Sequence, residues 1–168
     1  MSGPETDRPR LFGRVGLEPV LLPWSWAEHR LVRARSYWIA STRPDGRPHT
    51  RPVWGVWHDS AFYFSTGSLA VGNLEHNPYI TVHLDSGADV VILEGTSTTR
   101  TDQDVISLLS VIYNDKYHWD LDPDAPATWY EVRPEVAFGW IADDSGRDYG
   151  AIFHGTATRW RFGPGSPA

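Results

Sequence analysis

The sequence predicts a mainly β protein: six to eight antiparallel strands closed into a barrel, with a few peripheral helices. Three observations carry that expectation. Aromatic and β-branched runs recur between Pro, Gly, Asp and Ser turn signals, the punctuation of hairpin-connected strands. No strand–helix–strand alternation of the kind that builds a parallel sheet is present. Several strand-like runs are apolar on both faces, while helical segments are too few to cover an open sheet, so a barrel fits better than a sandwich. Net charge is −6, from 15 Lys+Arg against 21 Asp+Glu, so there is no general pull toward nucleic acid. With no cysteine, disulfides, thiolate metal sites and a cysteine nucleophile are excluded. No apolar run is long enough to span a membrane. The polar stretch Met1–Arg10 lacks the apolar core of an export signal, so a cytoplasmic location is expected.

Residues 1–22 show no sustained period and read as a flexible arm, followed by one domain over 23–162 and a loose tail at 163–168. Ser25 and Glu28 match a capping box, predicting a helix from about Trp26 to Arg33. Ser36–Thr42 reads as a strand, Arg43-Pro44-Asp45-Gly46 as a turn, and Pro48–Trp57 as the return strand. A second turn at His58-Asp59-Ser60 leads to the strand Ala61–Thr66, completing a three-stranded meander. Ser68–His76 fits a short helix, weakened by Gly72 and stopped by Asn77-Pro78. Tyr79–Leu84 and Val90–Arg100 are strands. A longer helix comes next, capped by Thr101 with Asp104, showing Val105, Leu108, Leu109 and Ile112 at helical spacing and ending near Tyr117. The loop His118–Ala127 contains Pro123 and Pro126, and Trp129–Val132, Val136–Ala142 and Ala151–Phe162 are further strands.

Most motifs of enzyme chemistry are missing. The seven histidines (29, 49, 58, 76, 83, 118, 154) have no metal-ligand spacing, so no metal is expected. Asp120, Asp122 and Asp124 begin like a calcium loop, with Glu131 at its twelfth position, but Ala125 stands where glycine is needed; a solvated acidic loop is expected, as for Asp143-Asp144. There is no nucleophile elbow, Walker loop or dinucleotide fingerprint. Ser65-Thr66-Gly67-Ser68 runs from a strand into a helix and offers hydroxyls and N–H groups to an anion, although an ordinary helix cap looks the same. The nine tryptophans supply flat surfaces for a core or for a flat ligand.

The order of these pieces resembles a known family. Tyr37–Thr42, the turn Asp45-Gly46-Arg47-Pro48, the strand Arg51-Pro52-Val53-Trp54, then Phe64-Ser65-Thr66-Gly67, Asn73-Leu74-Glu75-His76-Asn77-Pro78 and Leu93-Glu94-Gly95 resemble the pyridoxamine 5'-phosphate oxidase-like superfamily across about residues 36–100. Lys116-Tyr117-His118-Trp119 and Thr158–Phe162 are similar, less specifically, to actinobacterial-type members. The resemblance implies an FMN-binding split β-barrel, a homodimer, and FMN or the deazaflavin coenzyme F420 at the seam. It places Arg51, Pro52, Val53 and Trp54 along the ring and Ser65, Thr66, Gly67, Ser68 and Asn73 at the cofactor, with the turn on its phosphate. Coenzyme F420 is favoured over FMN, with hydride transfer to an unsaturated, conjugated small molecule. No catalytic residue is identified; His49, His83 and Tyr113 are candidate proton donors.

One departure matters. The family usually carries a lysine and an arginine where this chain has Ala70 and Gly72. Each charge-assisted hydrogen bond is worth about 1.5–3 kcal/mol, so a weakly held cofactor, or none held tightly, is expected. The alternative readings are a split-barrel binding module for haem, another tetrapyrrole or a different flat ligand, and an FMN-binding oxidase.

Overall fold

The computed structural model describes residues 3–10, 18–142 and 155–163. His154, Asp143-Asp144, most of the C-terminal tail and part of the arm lie outside them. Among the described residues nine antiparallel strands, rather than six to eight, form one sheet with three helices, and the sheet stays open instead of closing, consistent with a split barrel. The strands are β1 (Glu5–Asp7), β2 (Tyr37–Thr42), β3 (Pro48–Val53), β4 (Gly55–His58), β5 (Ala61–Phe64), β6 (Tyr79–His83), β7 (Asp89–Arg100), β8 (Trp129–Ile141) and β9 (Thr158–Arg161). The helices are α1 (Trp24–Arg33), α2 (Ala70–His76) and α3 (Gln103–Tyr117). The sheet runs β1-β9-β8-β7-β6-β2-β3, and β5 joins β4 to β8.

The Asp45-Gly46 turn forms as expected: Gly46 takes φ +83 and donates its N–H to the Arg43 carbonyl at 2.8 Å. The predicted strand Pro48–Trp57 breaks at Trp54. Its first half pairs with β2 and its second with β5, so the middle strand of the predicted meander serves two pairings. A Cβ on Gly55 would lie 2.5 Å from both the Phe62 ring and the Tyr63 carbonyl, so only glycine lets β4 settle there. In the opposite sense, the two strands expected on either side of Pro134 are one, β8. A bulge between Glu94 and Gly95 sets Val136 and Pro134 against them and leaves Glu135 over. Pro134 owes the ladder little at such a bulge. The N-terminal arm contributes β1 on the outer edge of β9, where the Arg159 guanidinium holds the Asp7 carboxyl below its ordinary range.

The capping boxes do not form. Pro23 and Asp102 stand at the N-caps of α1 and α3, neither makes a side-chain cap bond, and Ser25 lies inside α1. The buried face of α3 largely follows the expected stripe, with Leu109 buried and Val105 and Ile112 packed against the same core, but Ile106 enters it in place of the expected Leu108. Ile106, Leu109, Ser110 and Tyr117 are buried, whereas Leu108 is exposed. That face closes a small core with Val56, Ala61, Tyr63 and Trp129. The main core gathers Leu31 of α1 with Tyr37, Ile39, Phe62, Phe64, Val82, Leu93 and Trp160 of the sheet. Among the described residues, no helix is long and apolar enough to cross a membrane.

Candidate functional site

The strand β3 is an edge strand, and its residues alternate between two faces. Arg51 and Val53 oppose the buried Ile39 and Tyr37, so they face inward; Pro52 opposes Trp38 on the outer face. Arg51 Nε is buried and has no hydrogen-bond partner among the described residues. A buried, unpaired guanidinium N–H costs free energy that an acceptor would recover. Trp54, at the kink, is 48% exposed.

What holds Trp54 was not legible in the sequence. Its indole stacks on Tyr117 with centroids 4.9 Å apart and planes 3° from parallel. The Tyr117 hydroxyl donates to the Gly55 carbonyl at 2.8 Å and accepts the Gly55 N–H at 3.0 Å. Lys116 Nζ donates to the same carbonyl and to the Tyr37 hydroxyl, both at 2.9 Å. Burial, with the Arg35 charge nearby, lowers Lys116 to about 8, and burial raises both tyrosine hydroxyls. The C-terminal turn of α3 therefore clamps the peptide after Trp54.

The turn before α2 is largely occupied with itself. Ser65 donates to the Thr128 carbonyl at 2.9 Å, Thr66 to the Ser68 hydroxyl at 2.9 Å, and the Ala70 N–H to that hydroxyl at 3.2 Å. Only the Ser68 hydroxyl proton has no acceptor among these contacts, and Gly67 is exposed. Asn73 is buried: its amide donates to Ser41 at 3.0 Å and meets His49 Nδ1 at 3.2 Å, tying α2 to the β2–β3 hairpin. The helix that follows the turn is thus fastened to the hairpin that carries Arg51. Ala70 is fully buried, while Gly72 is exposed with open space where a Cβ would be. Trp54 thus presents an exposed flat surface, Arg51 a buried unpartnered N–H and Ser68 an uncommitted hydroxyl proton, and neither Ala70 nor Gly72 adds a cation from α2.

The three candidate proton donors are not brought together. His49 receives the Asn73 amide on Nδ1, which leaves the proton on Nε2, on the inner face. His83 lies on the outer face, parallel to Trp38 at 6.3 Å, its Nδ1 donating to the Leu84 carbonyl at 2.8 Å. Tyr113, raised by burial, is on α3, 6.5 Å from the Trp54 ring. No cluster of three metal-ligating side chains occurs among the described residues.

The pyridoxamine 5'-phosphate oxidase family model matches residues 27–141, more than half of the chain. The chain belongs to this family. A search of curated proteins finds no match. Among solved structures, an F420 reductase is 22% identical with a TM-score of 0.52, over 65% of this chain and 94% of the other. An FAD-binding protein from Mesorhizobium loti is 16% identical with a TM-score of 0.54, over 83% and 95% of the two chains. A heme-binding protein from Mycobacterium smegmatis is 18% identical with a TM-score of 0.54, over 71% of this chain and 55% of the other. At such identities the likeness establishes the shared fold of this pyridoxamine 5'-phosphate oxidase family member.

Proposed function

We propose that the protein is a flavin- or deazaflavin-dependent oxidoreductase, with coenzyme F420 favoured over FMN, working as a cytoplasmic homodimer on an unsaturated, conjugated small molecule. The observation that carries this reading is the unpartnered, buried Nε of Arg51 on the strand that leads into the exposed Trp54. Family membership and the flavin-type neighbours support it. A bound flavin or deazaflavin would supply the hydride chemistry. The chain's own part is to bind and orient: Arg51 and Ser68 offer donors to the anionic tail, and Trp54 and Pro52 border the ring. The two missing α2 cations make the affinity modest.

Titration with FMN and with coenzyme F420, monitored by tryptophan fluorescence, is expected to show quenching by one of them in the micromolar range. Quenching by neither removes the reading. Gly72→Arg supplies one cation at an exposed position and is expected to tighten binding about tenfold or more, the worth of one charge-assisted hydrogen bond. An unchanged dissociation constant would show that the tail lies elsewhere. Ala70→Lys is the poorer test, because it drives an ammonium into the core.

A specific observation favours haem as the second reading. His83 spends its Nδ1 proton on the Leu84 carbonyl, so its Nε2 lone pair is available, the arrangement in which metal-ligating histidines are commonly held. Haem addition is then expected to give a Soret band that His83→Ala removes; no band, or a band unchanged in that variant, rejects this reading.

A further inference from the structure

The stretch Lys116-Tyr117-His118-Trp119 does more than end a helix. His118 takes a left-handed conformation, φ 53 and ψ 46, that turns the chain back on α3. Asn114 then anchors the residues after the turn. Its backbone carbonyl accepts the Trp119 N–H at 3.3 Å, and its side chain exchanges two 2.8 Å bonds with the Leu121 backbone. Trp119, though 56% exposed, is therefore held beside Trp54, ring centroids 5.8 Å apart and planes at 82°. Single exposed aromatics are ordinary; two adjoining indoles pinned at right angles form a corner with two flat walls.

Two cations lie beside the corner, in a protein of net charge −6: Lys116 Nζ is 5.3 Å from the centre of the Tyr117 ring on which Trp54 stacks, and Arg35 is over the same ring. Lys116 spends two of its three ammonium N–H groups on neutral acceptors, and the charged group acting on it is another cation, Arg35. Arg35 in turn donates to the Lys116 carbonyl at 3.2 Å and lies 5.6 Å from the Tyr117 ring centre. Neither cation has a carboxylate partner among these contacts. We infer that the Trp54–Trp119 corner binds a flat conjugated small molecule with an anionic edge, the rings taking its plane and Lys116 and Arg35 its charge. This deepens the proposed function by naming the substrate class; the binding itself needs no cofactor.

The probes are 2-naphthoate and its neutral analogue 2-naphthamide, titrated into the full chain. Naphthoate is expected to bind about tenfold more tightly at pH 7, as one charge-assisted contact provides. Trp119→Leu, at an exposed position, is expected to weaken both probes, and Arg35→Ala or Lys116→Met to narrow the difference between them. The preference should also narrow as pH rises through about 8, where Lys116 loses its proton, while Tyr37, Tyr113 and Tyr117, all raised by burial, stay neutral and Arg35 stays charged. Equal affinity for the two probes at pH 7, or naphthoate binding untouched by both Trp119→Leu and Arg35→Ala, overturns the inference. So does a loss of self-association in Trp119→Leu with no probe bound by the native protein, because a second copy then covers the corner. Naphthoate preference without FMN or F420 binding keeps the corner and removes the cofactor reading; cofactor binding without the preference does the reverse.

Discussion

Gly55→Ala is expected to lower stability by about 3 kcal/mol, a fall in Tm of roughly 6–12 °C for a chain of this size. The added methyl meets two different obstacles at 2.5 Å. The Phe62 ring is a fully buried part of the main core, and the Tyr63 carbonyl belongs to the backbone of the strand paired with β4. Neither is the free end of a flexible side chain, so relief requires β4 and β5 to part. The shift would also disturb the Gly55 peptide that Tyr117 and Lys116 hold, releasing Trp54. Urea unfolding would measure the loss, and near-ultraviolet circular dichroism of the folded variant would report the Trp54–Tyr117 stack. Gly72→Ala is the control: its methyl enters open space in a helix and is expected to stabilise by ~0.5–1 kcal/mol. If both substitutions cost the same, close approach at Gly55 is not what fixes the kink.

That kink marks the limit of what the chain discloses by itself. Alternation plus turn residues placed β2, β6 and β7 to within about a residue, because pleat period and hairpin chemistry are local. The division of Pro48–Trp57 is not local: it depends on Phe62 and Tyr63 crowding Gly55. The continuity of β8 through Pro134 depends likewise on the bulge at Glu135, where β8 carries one residue more than the facing β7. Helix faces were harder still. Seven residues of α2 carry too few turns for periodicity to reveal that Ala70 points into the core, and α3 has apolar residues almost all round. The candidate site was half legible. Arg51, Trp54 and the Ser65–Ser68 turn stood out through a family resemblance, whereas the hold of Lys116 and Tyr117 on Gly55 joins residues about sixty positions apart. The nearest sequence signal was Lys116-Tyr117-His118-Trp119, a cation among rings just past the best helix.

The strongest electrostatic effect is expected at Glu131, and it should be asymmetric. This carboxylate opposes Tyr63 on one side and Thr98 on the other, with its side chain only 2% exposed. Arg100 hydrogen-bonds to it, and Arg133 Nε lies 2.6 Å from Oε1, yet those side chains are 40% and 53% exposed. Burial, and then the Glu131 charge, raise the Tyr63 hydroxyl, so that neighbour does not ionise in its turn. The cost of breaking the triad depends on which charge is left in the dry interior. Replacing both arginines (Arg100→Met with Arg133→Met) strands a buried carboxylate and is expected to cost about 3–5 kcal/mol. Glu131→Gln instead leaves two guanidiniums that water already reaches, so only charge-assisted hydrogen bonding is lost, about 1–3 kcal/mol. Urea midpoints of the two variants decide the matter. If Glu131→Gln is the more damaging, the arginines rather than the carboxylate carry the burial cost, and β8 is held in register against β5 and β7 by packing instead of by this charge.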